Sequence, residues 1–180
     1  MKTKKRTPDV LDEMQIDFPN LLVKTQHGNV YLKSMINNKR TILCINPSEI
    51  IPSNTAETKD FIGILKKLKD MNFHLIGFNR KSFREHLKSL NWVNSYIREE
   101  LIFPIFYQAE NEQKEYLEEK LSETNDLKNP VYFLDKNGTI KMILNGDKPD
   151  NRSLEKIMEL ASKLVLGEQS FQKDMVLRDN

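Results

Sequence analysis

The chain has one cysteine, Cys44, and three histidines in 180 residues. A single thiol excludes an intramolecular disulfide and every multi-cysteine metal motif, so nothing in the composition implies an oxidising compartment. His27, His74 and His86 stand far apart without i, i+4 spacing, which argues against a protein metal site, and no cofactor is implied. Charge of one sign is also scarce. The 28 Lys plus Arg against 26 Asp plus Glu leave a net +2, too little to steer the molecule toward nucleic acid or a membrane surface. No apolar run approaches the roughly 20 residues of a membrane span. The basic start (Lys2, Lys4, Lys5, Arg6) runs into Thr7, Pro8 and Asp9, where a signal peptide would turn apolar. The expectation is a cytoplasmic protein with no membrane partner, for which nucleic acid is a weak option.

The hydrophobic content of 38% suffices for one good core in a chain of this length, but two domains would be cramped. The organisation expected is a flexible basic arm over 1–15, one domain over 16–166 and a polar tail over 167–180. Short apolar runs alternate with segments of helical period, the pattern of βαβ units. Leu21 to Thr25 and Asn29 to Leu32 flank His27-Gly28 as an N-terminal hairpin. Thr41 to Ile45 and Phe73 to Phe78 are apolar on both alternating sets, as strands covered on both faces would be. Between them Phe61, Ile64, Leu65, Leu68 and Met71 recur at helical spacing, giving a helix from about Thr55 to Asp70.

Further helices are expected over Ser82 to Leu90 and Glu110 to Leu121. Val131 to Asp135 and Thr139 to Leu144 enclose Lys136-Asn137-Gly138, where Asn-Gly suits the positive φ angles of a tight turn. Leu154, Ile157, Met158, Ala161, Leu164 and Val165 mark a closing helix that Gly167 is expected to end.

This order is that of an α/β thioredoxin-like fold, a central mixed sheet flanked by helices, with an added N-terminal hairpin. The segment Asn46-Pro47-Ser48-Glu49-Ile50-Ile51-Pro52-Ser53-Asn54-Thr55-Ala56-Glu57 resembles, without gaps, the active-site loop of the peroxiredoxin (alkyl hydroperoxide reductase/thiol-specific antioxidant) family, Pro-x-x-x-Thr-x-x-Cys. Pro47 and Glu57 match. Ile51 stands near the family's threonine and Asn54 in place of its peroxidatic cysteine. Ile76-Gly77-Phe78-Asn79 with Ser82 and His86, Phe103-Pro104-Ile105, and Val131-Tyr132-Phe133-Leu134-Asp135 with Asn137-Gly138 resemble later family segments. Lys81 replaces an aspartate of the family, and the position of its active-site arginine is held by Asn129. The resemblance spans about Phe18 to Leu164 and implies the peroxiredoxin type of fold, with each catalytic position altered.

Peroxide reduction needs a thiolate to attack the O–O bond while nearby donors polarise it. Asn54 has no ionisable nucleophile, and Ser53 and Thr55 have no adjacent histidine to act as base. Read through the thioredoxin motif instead, Ile51-Pro52-Ser53-Asn54 leaves both cysteine positions empty. Cys44 lies within an apolar strand and reads as a buried hydrophobe, with an exposed, reactive site as the other option.

Asn54 followed by Glu57 fits an N-cap with a capping-box acid. Its functional alternative is a small polar or anionic ligand held at the helix start. Trp92, Tyr96, Phe103 and Tyr107 read as core, or else as an exposed patch. Ile50 and Ile51 read as anchors of their loop or as a dimer contact. Two functions follow: a noncatalytic module acting by protein binding or regulation of an assembly, with a homodimer expected, or a redox enzyme using Cys44 or an altered pocket around Asn54.

Overall fold

The computed structural model describes residues 10–25, 28–36, 38–47, 50–52, 55–80, 83–96, 103–107, 127, 129–146 and 153–178. The expected helix over Glu110 to Leu121 lies outside them.

Eight strands form one mixed sheet in the order β1-β8-β7-β4-β5-β6-β2-β3. In chain order they are β1 (Val10–Asp17), β2 (Leu22–Thr25), β3 (Gly28–Tyr31), β4 (Arg40–Ile45), β5 (Phe73–Asn79), β6 (Ile105–Tyr107), β7 (Val131–Leu134) and β8 (Thr139–Leu144). Only β4–β5 and β5–β6 pair parallel. β4 joins the parallel part of the sheet to the antiparallel β7–β8 hairpin. The described helices are α1 (Leu32–Ile36), α2 (Thr55–Asp70), α3 (Phe83–Tyr96) and α4 (Leu154–Arg178).

Alternation along β4 divides the core in two, because successive side chains of a strand point to opposite faces. Ile42 and Cys44 join Phe61, Leu65 and Leu68 of α2 and Ile157, Leu160 and Ala161 of α4. Leu43 and Ile45 join Phe18, Leu21, Leu32 and Ile36 on the other face. The two-sided apolar pattern of β4 and β5 thus reflects cover on both faces, as the sequence predicts. The N-terminal hairpin β2–β3 forms in the expected place, with Gly28 at a φ of 109°.

Five local expectations need correction. The first concerns the arm expected over 1–15: its residues from Val10 onward belong to β1, which pairs antiparallel with β8. Backbone groups at a free strand edge recruit a partner strand whatever its side chains, so a polar lead gives little warning. The second is a short helix, α1, where none was expected. Its start is tied by Lys33 N–H to Asn20 Oδ1 at 3.1 Å and by Leu32 N–H to Leu21 O at 2.8 Å.

The third is the β7–β8 turn, where Gly138 alone takes a positive φ, 86°. Asn137 keeps a negative φ, while Gly138 N–H donates to Asp135 O and Asp135 N–H to Thr139 O, closing the three-residue loop Lys136-Asn137-Gly138 in its expected place. Asp135 Oδ1 supports it by accepting from Asn137 N–H and Thr139 N–H at 2.8 and 3.0 Å.

The fourth is α4, which runs through Gly167 to Arg178 where a tail was expected to begin. Gly167 is not among the residues with positive φ and so sits in the helix instead of capping it. A glycine in a helix interior costs about 1 kcal/mol relative to alanine, too little to stop a helix flanked by good formers. The fifth is α3, which likewise continues past Leu90 to Tyr96.

Candidate functional site

The site predicted from sequence lies where β4 leads toward α2. Ile45 ends the strand with its N–H donated to Pro130 O at 3.1 Å, and Asn46 N–H reaches Phe78 O at 2.8 Å. Asn46 then takes a φ of 50°, a left-handed conformation that asparagine tolerates better than most residues. The reversal lets Pro47 O accept the N–H groups of Ile50 and Ile51 at 3.0 and 3.1 Å. Pro47 is buried against Gly77 of β5, where even a Cβ would come within 2.7 Å of the proline ring. Ile50 is buried in the core, and Ile51 and Pro52 are half-buried. Ser53 and Asn54 lie outside the described residues. Thr55 and Glu57 open α2 with exposed side chains.

Across the end of the sheet the fold gathers carboxamides. Asn46 Nδ2 donates to Asn129 Oδ1 at 2.6 Å, and Asn46 Oδ1 accepts Arg80 N–H at 2.9 Å. Asn129 also has a positive φ, 45°. Asn145, after β8, is buried at the same end. Asn79, at the end of β5, is 0% exposed; its Nδ2 is 3.5 Å from His86 Nδ1, the outer limit of a hydrogen bond. Its Oδ1 has no partner among the described residues. His86 stacks on Tyr107 with ring centroids 5.2 Å apart, and burial pushes its imidazole below the ordinary pKa. In open α/β sheets the carboxyl ends of parallel strands are where ligands bind, and at this edge the carboxamides stand beside Arg80, whose Nε is buried.

Sequence reasoning named Pro47 and Asn129 but missed the role of Asn46 and the buried pair Asn79 and His86. Among the described residues the asparagines with positive φ are 38, 46, 72 and 129, and residue type is the signal they share, since asparagine is favoured in that conformation.

Cys44 is 0% exposed and sits among Ile42, Phe61, Val131 and Phe133. It thus occupies the buried position read from its apolar strand. Of the aromatics considered as a patch, Phe103 is core and Trp92 meets Phe61 edge-on at 5.1 Å. Tyr107 covers His86, and the side chain of Tyr96 lies outside the described residues. Those described are packing groups, and Ile50 anchors its loop. Among the described residues no helix is long and apolar enough to cross a membrane.

The sheet order and the placement of α2 after the central strand define a thioredoxin-like redox fold. No family model matches the chain. It is 24% identical over 155 residues to a peroxiredoxin of Treponema denticola, covering 86% of this chain and 74% of that protein. With a peroxiredoxin of Methanocaldococcus jannaschii it shares 28% over 162 residues, covering 84% and 71%. Among solved structures, the mutant form of Peroxiredoxin 6 of Arenicola marina superposes with a TM-score of 0.60 at 14% identity, over 87% of this chain and 74% of that one. The chain is therefore homologous to peroxiredoxins and shares their fold, while it carries asparagine where the resemblance places the peroxidatic cysteine.

Proposed function

We propose that the protein is a noncatalytic member of the peroxiredoxin-like group that acts by binding protein or regulating an assembly, with a homodimer as its basic form. The observation that carries this reading is the position of its one sulfur: Cys44 lies inside a central strand with no exposed surface. A thiolate must reach the peroxide oxygen to attack it. The pairing of Asn129 with Asn46 also supports the reading, because the place of a cation is taken by a neutral group spent on holding the loop. A cytoplasmic setting and a small polar ligand at the start of α2 belong to the same proposal.

Peroxide consumption with a thiol reductant tests it. Rates of the wild type equal to those of Cys44→Ser are expected. Robust turnover that depends on Cys44 would overturn the reading in favour of a redox enzyme. Sedimentation over a wide concentration range tests the homodimer, and a 21.2 kDa species throughout would remove it.

A further inference from the structure

Around the short helix α1, seated beside the β7–β8 turn, exposed lysines accompany two exposed apolar side chains. Tyr31 is 56% exposed and Met35 40%, four positions apart across the junction of β3 and α1. Lys33 lies exposed between them. The short helix is seated beside the β7–β8 turn: the Lys33 Cε and the Ile36 side chain each come within 3.9 Å of where a Cβ on Gly138 would lie. Exposed Lys136 belongs to that same turn. Lys39 follows α1, its N–H bonded to Ile36 O at 3.0 Å, and its charge lowers the pKa of His74 in addition to the larger effect of burial.

Among the described residues beside α1 and this turn the carboxylates are Asp17 and Asp135. Asp135 accepts from two turn amides and is 3.4 Å from Lys141, and Asp17 accepts the Thr139 hydroxyl at 2.8 Å. Lys33, Lys39 and Lys136, with Lys141 beside Asp135, outnumber Asp17 and Asp135, so the described charges here are net positive.

We propose that Tyr31, Met35, Lys33, Lys39 and Lys136 form a docking surface for a short acidic segment of a partner protein that carries an apolar side chain. Exposed tyrosine and methionine supply the adaptable apolar contact typical of interface centres. The lysines supply complementary charge, which sets the encounter rate and the choice of partner. A second copy of this chain is a poor occupant, because a two-fold contact through this patch brings the same lysines face to face. The inference rests on the reading that the protein acts by binding protein, and it names the surface.

The test titrates the full chain into a fluorescent synthetic peptide of repeating Glu-Glu-Leu and follows anisotropy. Saturable binding is expected, weakened about tenfold or more by Lys33→Glu with Lys39→Glu and by raised salt, as expected for exposed charges. Tyr31→Ser with Met35→Ser should weaken it at unchanged charge, and Lys136→Glu should do so from the neighbouring turn. A control reversal on α2, Lys59→Glu, should leave it unchanged.

No binding, or binding indifferent to these changes in variants with wild-type circular dichroism, would overturn the proposal. So would a single-stranded oligonucleotide that binds the same lysines more tightly than the peptide. Failure here without peroxide turnover removes only this surface. Peroxide turnover dependent on Cys44 removes the noncatalytic reading whatever the peptide does.

Discussion

Asn46 and Asn129, 83 residues apart in the chain, are joined by a 2.6 Å hydrogen bond from Nδ2 to Oδ1, with both backbones left-handed. The bond ties the loop after β4 to the loop before β7. It also spends the side chain that stands at the family's arginine position. Asn46→Ala should cost on the order of 2–4 kcal/mol, because it removes the side-chain bonds to half-buried Asn129 and Arg80 and forces alanine into a positive φ. Asn46→Gly, which keeps the backbone easy, should cost less. Denaturant unfolding of the two variants checks the order, and equal losses would locate the effect outside the backbone conformation.

Gly77 gives room to Pro47. A Cβ there would lie 2.7 Å from Pro47 Cγ and 3.1 Å from Ile105 Cγ1. Gly77→Ala should destabilise by about 1–3 kcal/mol, the usual effect of overpacking. Hydrogen exchange should show the loss concentrated at the amides of Ile50 and Ile51, which Pro47 O holds. A neutral Gly77→Ala would mean that the proline ring can move aside without consequence.

Cys44, fully buried in β4, should react slowly with a thiol reagent in the folded protein and quickly in denaturant. Equal rates in the two states would contradict its placement. The same measurement bears on function, since a thiol closed to a small reagent is closed to a hydroperoxide.

Burial pushes His86 below its ordinary pKa, and burial followed by the charge of Lys39 does the same for His74. With folded values below the unfolded one near 6.5, the native state resists protons that the unfolded chain accepts. Stability is therefore full above that value and declines as pH falls through the range below it. Thermal melts from neutral to mildly acidic pH should show the decline, and His86→Gln should flatten part of it. Histidine midpoints measured by NMR in the folded protein should fall below the unfolded value, and midpoints above it would reverse the sign.

Asn54 directly precedes α2, which begins at Thr55. Asn54→Ala should cost about 0.5–2 kcal/mol as a lost N-cap, while Asn54→Asp should be tolerated because a carboxylate caps well and favours the positive helix end. A neutral alanine with a strongly destabilising aspartate would favour a packed or ligand-holding side chain. Asn54→Cys alone is not expected to create an efficient peroxidase, since Ile51 and Asn129 supply neither hydroxyl nor cation.

Periodicity and local rules determined much of this protein without its tertiary structure. The two-sided apolar runs at 41–45 and 73–78 could only be covered strands, and the spacing from Phe61 to Leu68 placed α2 at the boundaries observed, Thr55–Asp70. The loop motif around Pro47 located the candidate site, and the lone cysteine in its apolar run was legible as core. Local sequence did not disclose β1, whose partner β8 lies more than 100 residues away, nor that α4 would pass Gly167. It could not pair Asn46 with Asn129 or show that Asn79 and His86 are buried together. Nor could it bring the β7–β8 turn beside α1. Each of these depends on contacts between segments distant in sequence, whose energies are set by which backbone edges and side chains the completed sheet brings together, and no window of residues contains that information.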